Sequence, residues 1–262
     1  MKNKKLWVTL IAVVFSFVVI CLSITAFTIK QVNISFVMSS NAFDTKEVTS
    51  STQVFTGKNL LFFNTDEVKN KLEENPYINV IKVEKIFPNV INIDVEERRE
   101  IYFIDYQGKT YITDKDGVVL SEKKLDKEYG SHEYIKVNLL SRMESDNFVV
   151  TSVSLGEKIK TTNDGLFYKA LGLCEQVHLT DSVNELTIEK WFDGQEHVNV
   201  TFSTYSNVKI TLEKAESKGD KKAESAFNVY DKEFSDYRKS QGVIRSFEKN
   251  DGTIEVQWNK NW

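Results

Sequence analysis

"INVIKVEKIFPNVINIDVEERRE", residues 78–100, reads as two strands folded over a turn at Pro88-Asn89. In its second half Ile91, Ile93 and Val95 alternate with Asn92, Asp94 and Glu96. That is the period of a half-buried strand, apolar on one face and polar on the other. The alternation stops in a burst of charge, Glu96-Glu97-Arg98-Arg99-Glu100.

Working back from this hairpin, "NP" at Asn75-Pro76 ends a helix, because the residue before a proline is driven out of the helical region. That helix opens at Asn64, with Glu67 three residues on, and carries Val68 and Leu72 as an apolar i,i+4 pair. Glu67 and Lys71 have the spacing and polarity of a supporting ion pair. Gly57 breaks the chain before it. A shorter helix is expected through about Thr52, with Asp44 and Glu47 at capping-box spacing. Gln31–Val37 alternates again, with Val32, Ile34 and Phe36 on one face. The order is strand, helix, helix, strand, strand, in about seventy residues.

This unit follows a run of grease. Lys2, Lys4 and Lys5 precede Leu6–Ile29, which contains no charged side chain. As a helix at about 1.5 Å per residue the run spans on the order of 36 Å, against a hydrocarbon core of about 30 Å. A cleavable signal peptide would have a shorter apolar region ending in small residues spaced like Ala-x-Ala. Here a cut after Ala26 would put bulky Ile24 at the other specificity position. The expectation is therefore an uncleaved anchor, with residues 1–5 cytoplasmic under the positive-inside rule and everything from Lys30 onward outside.

Charge and cysteine narrow the partners. The chain has 262 residues and a net charge of −4, so it lacks the basic field that nucleic acid demands. Setting the three N-terminal lysines aside, the 34 basic side chains fall to 31 against 38 acidic ones, a net of −7. Such a surface does not bind anionic lipid headgroups broadly. Cys21 lies in the apolar run and Cys174 far downstream in a helix-like stretch, so no disulfide is expected between them.

From Ile101 the texture changes to hairpins. Turns are expected at Gln107-Gly108, Asp116-Gly117, Asp193-Gly194 and Ser206-Asn207, each between apolar alternating runs. Two helices interrupt them. One begins near Asn163, with Leu166, Phe167, Ala170, Leu171 and Cys174. The other runs from about Asp220 to Ser240, with Ala223, Phe227, Tyr230, Phe234 and Tyr237 at helical spacing, and is stopped by Gly242. "VIRSFEKNDGTIEVQW" closes the chain as a last hairpin. The reading is an α+β protein: cytoplasmic tail 1–5, transmembrane helix 6–29, a β-α-α-β-β domain over 30–100, and a mixed β-sheet domain with helices over 101–262.

No chemistry stands out. His132, His178 and His197 are scattered, with no metal-ligand spacing. Asp114-x-Asp116-Gly117 starts like a calcium loop but lacks the third acid and the glycine offset, which leaves a β-turn. Nucleophile-elbow, phosphate-loop and zinc-protease motifs are missing from the sequence. Neither a cofactor nor a metal is expected. A pair of glycosidase carboxylates on separate loops would leave no sequence trace, so a wall enzyme stays open as an alternative.

Strand-helix-helix-strand-strand just outside a single anchor resembles a POTRA domain, in the form found in the FtsQ/DivIB family of bacterial cell-division proteins. The motifs that carry the resemblance are Asn75-Pro76-Tyr77-Ile78, Pro88-Asn89, Val95-Glu96-Glu97-Arg98 and, beyond the hairpin, Tyr111, Asp114, Gly117 and Val119. They cover about residues 30–120; beyond that only the order of elements agrees. One departure is Arg99-Glu100, where the family usually has a proline.

The resemblance implies a non-catalytic bitopic scaffold at the division septum, recruiting FtsL-like and FtsB/DivIC-like proteins and, through them, septal wall synthases. The alternative is a membrane-anchored wall enzyme or a POTRA-type secretion or chaperone module. It further implies that the last strand, Thr253, Ile254, Glu255, Val256, Gln257 and Trp258, pairs with a partner strand beside the preceding helix, where Tyr230 and Phe234 are candidate anchors. Glu97 and Arg98 become a candidate recruitment surface on the POTRA domain. A terminal strand is often a sheet edge, and an open edge offers its N–H and C=O groups to an incoming segment.

Overall fold

A computed structural model describes residues 2–38, 45–123, 134–142, 148–175, 183–234 and 241–260. Asp44, His132, His178 and Tyr237, singled out above, lie outside the described residues, as do the side chains of Cys21, Glu47 and Cys174. The fold is α+β, and the chain divides into two compact units, 1–98 and 99–262.

The first unit opens with α1 (Lys2–Ala26). No helix among the described residues is long and apolar enough to cross a membrane. Within α1 the side chains are described from Trp7 to Val19 and again at Thr25 and Ala26. The chain then runs through β1 (Gln31–Met38), α2 (Thr45–Ser51), a 3-10 turn (Thr52–Phe55), α3 (Asp66–Leu72), β2 (Ile78–Ile86) and β3 (Val90–Glu97). The three strands form one sheet in the order β1-β3-β2, with β1 parallel and β2 antiparallel to the central strand. Because side chains alternate along β3, Ile91, Ile93 and Val95 all face one way and are fully buried. They share a core with Val68 and Leu72 of α3, Val48 of α2 and Phe55, Leu60 and Phe63 from the connecting segment.

The expected Glu67–Lys71 pair does not form. Glu67 takes Lys58 from the incoming loop at 2.5 Å, and Lys71 takes Glu74 at 2.6 Å. A helix of only seven residues leaves both partners within reach of charges beyond its ends, and those outcompete the i,i+4 contact. The helix starts later than expected, at Asp66 with Thr65 as its N-cap, and Asn64 just before it accepts the Asp66 N–H on its side-chain oxygen at 3.0 Å.

The second unit adds β4 (Tyr102–Tyr106), β5 (Lys109–Thr113), β6 (Val119–Lys123), β7 (Ile135–Ser141), a small pair β8 (Val150–Ser152) and β9 (Lys160–Thr161), and α4 (Asp164–Glu175). It continues with β10 (Val183–Phe192), β11 (Glu196–Thr204), β12 (Val208–Leu212), α5 (Gly219–Glu233), β13 (Gly242–Glu248) and β14 (Ile254–Lys260). Nine of these strands form one mixed sheet in the order β14-β13-β12-β11-β10-β7-β4-β5-β6. Gln107 and Gly108 both have positive φ, 50° and 76°, as a tight two-residue hairpin turn requires.

Both helices pack on this sheet. Leu186, Ile188, Val198, Val200, Phe202, Ile210 and Leu212 from its centre join Phe167 and Leu171 of α4 and Ala223, Phe227 and Tyr230 of α5 in one core. Asn163 caps α4, its side-chain oxygen accepting the Leu166 N–H at 3.2 Å. Lys222 on α5 is fully buried, and its ammonium donates to the carbonyls of Glu213, Lys214 and Ser217 at 2.9, 2.9 and 2.7 Å. Three backbone acceptors thereby meet three donors. Burial still lowers the lysine's pKa from its usual range, against the raising effect of Glu248 and Glu216.

Since Ile93 is fully buried at the centre of the three-stranded sheet, Ile93→Ala should cost about 2–5 kcal/mol through lost transfer energy and the cavity left behind. Chemical denaturation of the two proteins side by side measures it.

Candidate partner-binding edge

The last hairpin is closed by an Asx turn. The Asp251 carboxylate accepts the Thr253 N–H at 2.9 Å and its hydroxyl at 2.6 Å, and Gly252 follows at φ 81°. Those bonds, led by the one from the Thr253 hydroxyl, hold the Asp251 carboxyl below its ordinary pKa. Thr253 thus belongs to the turn, and β14 proper begins at Ile254. β14 is the end strand of the nine-stranded sheet, pairing with β13 on one side.

The ladder phase follows from two bonds. The Lys249 N–H donates to the Thr253 carbonyl at 2.9 Å, one step beyond the Glu248–Ile254 register. On the other side of β13, the Ser246 carbonyl accepts the Glu213 N–H at 3.0 Å, so Ser246 faces β12. Hydrogen-bonded and non-bonded pairs alternate in an antiparallel ladder. Phe247 with Glu255, Arg245 with Gln257, and Val243 with Asn259 are therefore the bonded pairs. The backbone groups of Ile254, Val256 and Trp258 point off the open side of the sheet.

Side chains divide with the same parity. Val256 packs against the core, and Trp258 meets Phe234 edge-on at 6.1 Å while remaining 45 % exposed. On the opposite face the Glu255 carboxylate pairs with Lys249 at 2.7 Å and accepts a bond from Gln257 at 3.0 Å, which together keep its pKa low. Lys260 sits over the Phe234 and Trp258 rings at 5.5 and 5.3 Å and bonds Glu233 at 3.2 Å.

Tyr230 and Phe234 are not exposed anchors. They are 3 % and 1 % exposed and stack on each other at 6.2 Å. Both lie on the sheet-facing side of α5, where the helical period that made them conspicuous in sequence also buries them. Their role is support: Phe234 is the wall against which Trp258 rests. A contributor missed in sequence is Gly242. It opens β13 rather than closing a helix, and an added Cβ there would meet the Asn259 carbonyl oxygen and approach the Phe234 ring at 2.8 Å.

The candidate residues of the first unit behave differently. Glu97 and Arg98 are half-buried at the end of β3. Arg98 donates to the Asn79 side-chain oxygen at 3.0 Å, and Asn79 to Glu96 at 3.3 Å, so the charges are tied along the sheet.

Over β10, β11 and β13, and lined by no residue of β14, lies a cleft of 710 Å³ whose lining includes Trp191, His197, Glu213, Lys214 and Arg245. Its charges pair with one another. Arg245 bonds Glu213, Arg142 bonds Glu189 at 2.7 Å, and the His197 ring lies between Asp193 at 2.7 Å and Glu216 at 2.5 Å. Among the described residues no group of three or more His, Cys, Asp or Glu is arranged to hold a metal ion.

Residues 27–98 match the family model described as "POTRA domain, FtsQ-type". Proteins named Cell division protein DivIB are similar to the chain. That of Clostridium botulinum (strain Hall) is 31 % identical over 122 residues, 46 % of each chain. That of Clostridium acetobutylicum is 27 % identical over 107 residues, 41 % of this chain and 42 % of its own. These similarities support a relationship to the FtsQ/DivIB family. The DivIB of Staphylococcus aureus is 31 % identical over 81 residues, 18 % of its length. The chain spans less than half the length of the curated relatives it matches.

Gly242→Ala should destabilise the protein by about 1–3 kcal/mol, because the new methyl overpacks a contact made by backbone on one side and a buried ring on the other. Gly172, where an added Cβ meets nothing within 4 Å, is the matched control. Thermal denaturation of both alanine variants gives the comparison.

Proposed function

We propose that this chain is a membrane-anchored, non-catalytic scaffold of the bacterial division machinery. It docks FtsL-like and FtsB/DivIC-like bitopic proteins outside the membrane and so links them to septal wall synthesis. The observation that carries the reading is the FtsQ-type POTRA domain at residues 27–98. The similar proteins named for cell division support the process. The open edge of β14 supplies a physical means of docking. Main-chain pairing gives affinity, and the half-exposed Trp258 at the strand's end gives a ring of the type that dominates interface energetics. Glu97 with Arg98 is the second candidate surface.

The anchor reading rests on α1. Its 25 residues span on the order of 37 Å. Trp7, Val8, Leu10, Ile11, Val13, Val14, Phe15 and Phe17 are all more than half exposed and cover most of the helix's circumference, with the uncharged Thr9, Ala12 and Ser16 on the rest. A helix apolar all round is stable only in apolar surroundings. The proposed layout is a cytoplasmic tail 1–5, a span from residue 6 that ends with α1 at Ala26 rather than at residue 29, because Ile29 is buried in the POTRA core, then the POTRA domain to about residue 100 and the β domain 101–262, with the bulk of the chain outside at the septum. A reporter that is active only outside the cell, fused after Trp262, should be active, with the protein retained whole in the membrane fraction. A secreted product beginning near Phe27 would overturn the anchor.

The ladder phase selects the edge variant. Val256→Pro removes an N–H that points off the sheet and leaves the β13 ladder whole, whereas Glu255→Pro removes one bonded to Phe247. Val256→Pro in the full chain should weaken capture of FtsB/DivIC-like ectodomains by about tenfold or more, equivalent to about 1.4 kcal/mol. Its circular dichroism should match the parent's. Undiminished capture by the folded variant would place the interface elsewhere.

A further inference from the structure

The end of the POTRA domain next to α1 carries an apolar surface that its own core does not use. Three segments meet there. Phe27–Lys30 leaves the helix, and the loop Gly57–Phe63 is bonded to it: Ile29 N–H to the Lys58 carbonyl at 2.8 Å, Gly57 N–H to the Ile29 carbonyl at 2.9 Å, and Leu60 N–H to the Phe27 carbonyl at 2.7 Å. The β2–β3 turn joins them through the Lys30 N–H and the Asn89 carbonyl at 2.9 Å, and Phe87 meets Phe27 edge-on at 6.0 Å. These bonds hold the surface within one residue of the helix's last turn.

Phe62 is 86 % exposed, Phe87 55 %, Ile86 44 % and Leu61 42 %. In these segments the charged residues are Lys30, Lys58 and Lys85, and there is no carboxylate among 27–31, 57–63 and 85–90. Elsewhere in the chain acids outnumber bases. Exposed aromatic rings with lysines, of which Lys58 is paired with Glu67 of α3, at the end of an apolar helix match the chemistry of a bilayer's headgroup zone, where rings partition and ammonium groups meet phosphates.

We infer that this end of the POTRA domain, with Phe62 and Phe87 as its apolar tips, is seated in the headgroup region of the outer leaflet, so that the domain lies on the membrane rather than hanging from it. The inference rests on the anchor reading of α1. The occupant is the bilayer because the surface is continuous with the helix end: no linker separates Ala26 from the Phe27 carbonyl that binds the loop. The strand β3 leaves from this end and, at about 3.3 Å per residue, reaches on the order of 25 Å away, toward Glu97.

The test uses the full chain carrying Cys21→Ser and Cys174→Ser, reconstituted in vesicles of phosphatidylethanolamine and phosphatidylglycerol. An environment-sensitive fluorophore is attached through Phe62→Cys, Phe87→Cys or, at the far end of the domain, Glu74→Cys. Phe62, Phe87 and Glu74 are exposed, so each replacement spares the core. Labels at 62 and 87 should show blue-shifted emission, quenched by lipids brominated near the headgroup end of the acyl chain. The label at 74 should show neither. Emission at 62 and 87 equal to that at 74, in a chain that floats with the vesicles, would overturn the inference and leave the anchor standing. A blue shift that brominated lipid does not quench would assign the surface to protein and overturn it equally. A chain that fails to float would overturn the anchor reading, and this inference with it.

Discussion

The phase of the hydrogen-bond ladder between β13 and β14 governs the edge of this molecule. Side-chain direction and hydrogen-bond direction both alternate with period two. In β14 the residues that turn apolar side chains toward α5, Ile254, Val256 and Trp258, are therefore the ones whose amides and carbonyls face off the sheet. A partner strand added there would continue the ladder without disturbing the helix packing beneath. The Asx turn at Asp251 sets this phase, since a hairpin's register is dictated by its turn. Gly242 permits it by letting the Asn259 carbonyl lie close against the start of β13.

The aromatic column behind the edge explains how one end strand can be held firmly while leaving half its backbone groups facing outward. Phe202, Phe227, Tyr230, Phe234 and Trp258 form a continuous series of ring contacts from the sheet's centre to its last strand. Lys222 secures the first turn of α5, tying the loop after β12 to the helix through three carbonyls. The strand's order thus comes from side-chain packing as well as from its single ladder.

Period and punctuation make much of this legible in the sequence. Alternation in Gln31–Val37 and Val90–Glu97, the Asn75-Pro76 stop and the paired turn residues at Gln107-Gly108 and Asp193-Gly194 are local signals whose physics is complete within a few residues. Pairs that depend on distant partners were not legible. Glu67 chose Lys58 over Lys71 because the loop after Gly57 folds back beside α3. Tyr230 and Phe234 stood out as aromatics at helical spacing, but spacing says only that they share a face, and the sheet beneath α5 decided that the face is buried.

By itself the sequence determined the two textures of the chain, a β-α-α-β-β unit and a hairpin-rich unit, and the resemblance to FtsQ/DivIB proteins, because these rest on hydrophobic period, turn chemistry and short motifs. Only the tertiary structure decided that β14 ends its sheet, that Val256 rather than Glu255 carries the outward amide, and that Phe62 and Phe87 lie beside the end of α1. Each of those facts joins segments far apart in the chain, and the free energy that selects them comes from burial and pairing between elements, which no local pattern encodes.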